Sequence, residues 1–232
     1  MAIVSISYGS NEFDVRVEYR DRKTMAISVL PDSSIVAVAP LDTALDDIQQ
    51  RLRKRARWIK KQVDYFTQFK PLTPPRLFVA GETHLYAGRQ YRLKLYEGEG
   101  NQVKLKGRFF HVSMKQPSSE MAGKLMKVWY RDKAHALFKR RLNECMRRFP
   151  DVNAPILQQK AFRARWGGMT QDGRMTLNPD LVRAPVECID YVITHELCHI
   201  EHPHHGPEFW RLLERKLPSW QQAKHRLEMS LK

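Results

Sequence analysis

No apolar run in the 232-residue chain approaches the roughly 18 residues that a membrane-spanning helix needs, which excludes a helical membrane protein. The N-terminal stretch MAIVSISYGSNEF has no basic segment followed by a long apolar one, so no secretory leader is expected and a cytoplasmic address is. Cysteine is scarce: Cys145, Cys188 and Cys198 are odd in number and scattered, which fits reduced thiols rather than a disulfide framework. No C-x-x-C pair is present, which argues against a cysteine-rich structural zinc site. A glycine-rich phosphate cradle, an internal repeat and a low-complexity tract are all missing from the sequence. Acidic residues are also in deficit, with 25 Asp and Glu against 40 Lys and Arg for a net charge of +15. Such a field attracts polyanions, whether nucleic acid, nucleotides or acidic polypeptides, but charge alone names no ligand.

The residues present divide into patterned blocks. Residues 1–40 alternate turn signals with β-like runs such as AISVL and SIVAVAP, read as strands of an antiparallel sheet. From Leu41 the apolar period changes to three and four, and Ile48, Leu52, Ala56, Ile59, Val63 and Phe66 predict one amphipathic helix. Its other faces carry Arg51, Arg53, Lys54, Arg55, Arg57, Lys60 and Lys61, either a phosphate-contacting surface or a solvated face, with Trp58 packing or stacking on a base. KPLTPPR, residues 70–76, is the most linker-like stretch. It places a β-rich module at 1–75 and a second domain at 76–232, unless the chain is one continuous domain. Gly-separated runs from LFVAG to FFHVSM predict hairpins, and a long helix follows, capped by Ser118 or Ser119. RWGGMTQDGRMTLNP then predicts a β-hairpin around QDG.

The segment HELCHIEHPHHGPEFW holds five of the nine histidines. Pro185 can open a helix there, and Val186, Ile189, Val192, Ile193, Leu197 and Ile200 make it apolar on much of its circumference, so it should be buried. An unsatisfied imidazole or carboxylate in such a place costs several kcal/mol. His195 and His199, one turn apart, share a face and can converge on one ion, while Glu196 points beside it, ready to take a proton from water. This H-E-x-x-H pattern predicts catalytic zinc (Zn2+), which also needs a third protein ligand and an open position. Pro203 should end the helix near Glu201 or His202, and His205 has the spacing to return to the ion. His202 and His204 are rivals, and Glu208 or Glu214 are substitutes. GPEFWRLLERKL predicts a second helix, with Phe209 and Trp210 in the core, bracing the His205 loop.

RWGGMTQDGRMTLNPDLVRAPVECIDYVITHELCHIEHPHHGPEFW resembles the YgjP-like metallopeptidase family. The likeness extends to the N-terminal strands and to RWIKKQ and GRQYRL, and H-G-P-E-F is shared with the SprT and WLM proteases. The resemblance implies His195, His199 and His205 as metal ligands and Glu196 as catalytic base. It further implies an α+β, zincin-like metallohydrolase domain. There the metal-binding helix packs on a small antiparallel sheet, preceded by the β-rich module. Where the family usually has W-G-S-C, this chain has Trp166-Gly167-Gly168-Met169.

The leading expectation is a zinc-dependent peptidase acting on polypeptide. Tyr191 could assist or could be core. Some members of the resembling family are described as UTP pyrophosphatases, and Arg163, Arg165, Arg174 and Arg183 around the centre would suit a nucleotide substrate. A further alternative is a non-catalytic nucleic-acid-binding metalloprotein that uses the basic surface. Oligomeric state is not legible in the sequence.

Overall fold

The computed structural model describes residues 2–30, 32–68, 74, 76–162 and 165–230. The chain divides into two compact units, residues 1–73 and 74–231, each with its own core. Of the linker-like stretch 70–76, only Pro74 and Arg76 fall among the described residues. Among those residues no helix is long and apolar enough to cross a membrane.

In the first unit, β1 (Ala2–Tyr8), β2 (Asn11–Arg20), β3 (Ala26–Val29) and β4 (Ile35–Pro40) form a sheet of order β1-β2-β4-β3. Two antiparallel hairpins build it, but β2 and β4 run parallel, with Val15 opposite Ile35. The sheet is therefore mixed rather than antiparallel throughout. Ile35, Val36, Ala37 and Ala39 are all buried, so β4 is apolar on both faces and takes a central place, leaving half-buried β3 at the edge. The expected single helix is two, α1 (Leu45–Lys54) and α2 (Ala56–Thr67), separated by Arg55. Residues 41–44 are spent in the turn after β4, where Thr43 N–H bonds to Pro40 O. Ile48, Leu52, Ala56 and Ile59 cover the inward side chains Val4, Ile6, Phe13, Val15 and Val17.

The second unit opens with β5 (Thr83–Tyr86), β6 (Arg89–Glu97), β7 (Gln102–Lys106) and β8 (Phe109–Met114) in order β5-β6-β8-β7. Again two hairpins are joined by a parallel pair, here β6 with β8. The two sheets thus repeat one topology that no sequence repeat announces. The helix α3 (Ser119–Met146) follows, and Ser118 caps it by accepting from Met121 N–H at 3.1 Å.

Next come β9 (Ile156–Gln159), β10 (Gly167–Met169) and β11 (Arg174–Leu177), then a 3-10 turn at Pro179–Arg183 and helices α4 (Val186–Glu201), α5 (Pro207–Lys216) and α6 (Trp220–Ser230). The hairpin at QDG forms as β10 with β11, with Gly173 at φ 77 in its turn. Its third strand β9 was not foreseen and pairs parallel to β11, so this small sheet is mixed as well. The architecture is α+β, with α4 central. Cys188, Ile189, Ile193, Leu197 and Cys198 are fully buried, and α3, α5, α6 and β10 all pack on it.

Two contacts fix where α4 lies. Arg141 on α3 grips Asp190 on α4 through two hydrogen bonds of 2.7 Å each. At the turn between β5 and β6, Gly88 stands at φ 78, and a β-carbon there would sit 2.8 Å from Pro185 at the head of α4. The N–H groups of Ala87 and Gly88 bond to Val182 O and Arg183 O, tying that turn to the helix entrance.

Candidate metal centre

The helix α4 ends at Glu201, where Pro203 cannot continue it and His202 leaves the helical region at φ −128. The chain turns back and restarts as α5 with Pro207 in its first turn. This reversal returns His205 to the face of α4 that carries His195 and His199. The three side chains offer ligand atoms all within 4.8 Å of one another, and His195 Nε2 and His205 Nε2 are 3.0 Å apart. Among the described residues no other group of His, Cys, Asp or Glu converges in this way.

Each ring is oriented by neighbours. The carbonyl of His202 can only accept, so His199 donates its Nδ1–H to it at 3.1 Å, which leaves Nε2 with its lone pair free. Trp210 donates its indole N–H to His205 O at 3.2 Å and stacks on the His205 ring, centroids 5.6 Å apart. Phe209, fully buried, touches all three imidazoles at centroid distances of 4.9, 4.7 and 4.7 Å. His195 Nδ1 is buried without a hydrogen-bond partner among the described residues. The rivals stand elsewhere. His204 is exposed, His202 serves through its carbonyl, Glu208 pairs with Arg211 at 3.0 Å, and Glu214 accepts the indole N–H of Trp220.

Burial, with His205 and His199 adding to it, pushes His195 down to about 3, and burial likewise lowers His205. Uncharged rings keep their lone pairs, and two imidazole Nε2 atoms at 3.0 Å are a poor pair unless one carries a proton or a cation lies between them. Three imidazoles suit a borderline cation such as zinc and not a hard one such as magnesium, which seeks oxygen. The residues present therefore fit a divalent transition-type ion.

Glu196 is 6% exposed, and burial pushes it up to about 7, against the opposing pull of Arg165 and the Met169 N–H. Its place depends on a residue missed in the sequence. A β-carbon on Gly167 would lie 2.6 Å from Glu196 Oε1, so only glycine lets the carboxyl group rest on β10. At Gly168 a β-carbon would meet only the Arg165 guanidinium, at an ordinary 3.5 Å, so the missing serine side chain leaves no conflict in the backbone.

β10 is an edge strand of its sheet. Trp166 O accepts from Asn178 N–H and Thr170 N–H donates to Arg174 O, so by alternation the Gly168 groups face β11 while those of Gly167 and Met169 face outward. A cleft of ≈ 1240 Å³ runs over this edge, with Arg165, Tyr191, His195, Glu196 and Asn153 among its walls. Tyr191 meets His195 edge to face at 5.9 Å and is 8% exposed, and its phenol is raised well above its ordinary range by burial. Of the four arginines expected around the centre, Arg165 lines the cleft. Arg174 is paired with Asp172 at 2.8 Å, Arg183 with Asp180 at 3.1 Å and over the Tyr130 ring, and Arg163 lies outside the described residues. Burial pushes the thiols of Cys145, Cys188 and Cys198 up to about 11, 12 and 12, so none is poised as nucleophile or ligand.

No curated protein matches the chain. Two solved structures resemble parts of it. The metallopeptidase zymogen of Pyrococcus abyssi abylysin is 22% identical over 38% of this chain and 86% of its own, with TM-score 0.35. The metallopeptidase zymogen of Methanocaldococcus jannaschii jannalysin is 19% identical over 41% of this chain and 97% of its own, with TM-score 0.37. Likenesses of that extent do not define the fold here. The family model for the YgjP-like metallopeptidase domain, by contrast, matches residues 23–230, and the chain belongs to that family of metallopeptidases.

Proposed function

We propose that the protein is a zinc-dependent peptidase in which His195, His199 and His205 hold the ion and Glu196 is the catalytic base. The observation that carries this reading is the convergence of three imidazoles within 4.8 Å beside a buried carboxyl group in an open cleft. Zinc at such a site supplies Lewis acidity, bringing water toward ionisation near neutral pH and polarising the scissile carbonyl. The remaining work falls to the chain. The outward main-chain groups of Gly167 and the carbonyl of Met169 can pair with an extended polypeptide, a mode indifferent to the side chains at 168 and 169, while the Met169 N–H is held by Glu196. Glu196 takes the proton of the attacking water on its carboxylate and returns it to the leaving nitrogen. Phe209, in contact with all three rings, keeps them fixed.

The nucleotide reading finds less support. With Arg174 and Arg183 engaged by aspartates, one described arginine remains in the cleft to meet phosphates. Metal analysis of purified protein, with hydrolysis of an unfolded polypeptide and of nucleoside triphosphates assayed with and without chelator, tests the reading. Glu196→Gln is expected to retain zinc while losing about 100-fold or more in peptide hydrolysis, and His199→Ala to lose both. Pyrophosphate release without peptide cleavage overturns the assignment.

A further inference from the structure

The first unit carries a charge arrangement that peptide hydrolysis in the second does not use. Residues 51–61 hold seven Lys and Arg in eleven positions and no acid. The helices α1 and α2 bury Ile48, Leu52, Ala56 and Ile59, while Arg51 and Lys54 on α1 and Trp58 and Lys61 on α2 stay off the buried faces and are all exposed. Arg53, Arg55 and Arg57 flank them. Lys60 is paired with Asp64 at 2.6 Å, but the other six cations have no ion pair among the described residues. No acid falls between Arg51 and Lys61: Asp46 and Asp47 stand in the first turn of α1 before the run, Asp64 follows it on α2, and the remaining acids of this unit are on β2 or in the segments between elements.

A merely solvated helix face intersperses both signs, because like charges three and four residues apart repel. From Arg51 to Lys61 this face carries one sign only, bounded by Asp47 before it and Asp64 after it, and its middle repels itself until an anion neutralises it. At its middle stands Trp58, 40% exposed and without a ring partner among the described residues. A duplex would satisfy the cations but hides its base faces from such an indole. An unpaired strand satisfies both, with phosphates on the cations and a base stacked on the ring.

We infer that the Arg51, Lys54, Trp58 and Lys61 stripe binds single-stranded nucleic acid. Fluorescence anisotropy of labelled oligo(dT) and oligo(rU), each of about 15 nucleotides, titrated with the full chain at several salt concentrations, tests this. Tight binding in either arm supports the inference and identifies the strand as DNA or RNA. The triple variant Arg51→Gln, Lys54→Gln, Lys61→Gln should weaken binding at least about tenfold and flatten the log-log salt slope by about 2, at roughly 0.7 per lost phosphate contact. Trp58→Ala should weaken binding by roughly tenfold with the slope unchanged, and Trp58→Phe should restore most of it. A control triple at the exposed Lys104, Lys106 and Arg108 should bind as the native protein does. Equal loss in the control triple, indifference to Trp58→Ala, or equally tight binding of duplex overturns the inference.

Discussion

At the scale of single residues, an added side chain at one position should be as damaging as a deleted one at another. Gly167→Ala introduces a β-carbon where Glu196 Oε1 now rests, and the carboxyl group must swing away from β10. The expected outcome is a loss of peptide hydrolysis of about 100-fold, comparable to removing a general base, with zinc content and fold retained. Activity close to the native level in that variant would mean that the carboxyl position seen here is not the working one. Phe209→Ala acts on the other side of the site. It removes the surface against which all three imidazoles lie, so it should weaken zinc retention by roughly 10-fold or more, as losses of ligand-orienting groups do. Competition against a chelator measures it. The histidines were legible in the sequence because helical periodicity alone puts residues four apart on one face. Gly167 was not, because a missing side chain acquires meaning only once the carboxyl group it makes room for has been placed.

Among the elements, α4 owes its position to a buried ion pair. Asp190 is largely enclosed and its two oxygens are both engaged by Arg141. Arg141→Ala leaves that carboxylate without its cation and should cost about 2–3 kcal/mol, below the range for fully buried pairs because both side chains keep some exposure. Urea midpoints measure the loss, and adding Asp190→Asn to the variant should recover part of it. Helix α6, not anticipated from the sequence, contributes a pH dependence. Burial pushes Glu228 up to about 7 from its ordinary 4.5, and Lys224 at 3.9 Å is too distant to hydrogen-bond to its carboxylate. A carboxyl group with a raised pKa in the fold favours the fold while protonated. Its contribution is therefore complete below about pH 4.5 and is lost as pH rises through about 7. Glu228→Gln should flatten the fall in urea midpoint across that window, and an unchanged pH profile would remove Glu228 as its source. Helices and hairpins were readable because their periods and turn residues are local. Strand partners were not, since alternation marks a residue's face but not which strand lies beside it, and the pairings β2 with β4, β6 with β8 and β9 with β11 are all parallel.

For the molecule as a whole, the division into two units has a thermodynamic consequence. Val15, Ile35, Leu52 and Ile59 belong to one core, and Phe110, Phe138, Ile193 and Phe209 to the other, with no shared member. The repeated sheet topology was invisible in the sequence because the two copies keep only their inward-facing apolar positions, filled by Val15 and Ala37 in one and by Leu93 and Val112 in the other. If each core melts by itself, calorimetry resolves two transitions rather than one. The convergent imidazoles all lie in the second unit, whose α4 and α5 bring them together. An ion that binds the folded site and not the unfolded chain stabilises only the unit containing it, by about 2.7 kcal/mol at a hundredfold excess over its dissociation constant. Zinc should therefore raise one melting transition and leave the other where it was, while a chelator reverses the shift. A single-stranded oligonucleotide should act on the complementary transition if the basic stripe on α1 and α2 holds it. Zinc and oligonucleotide moving the same transition would contradict the independence of the two cores, because each ligand would then be reporting on the same cooperative unit.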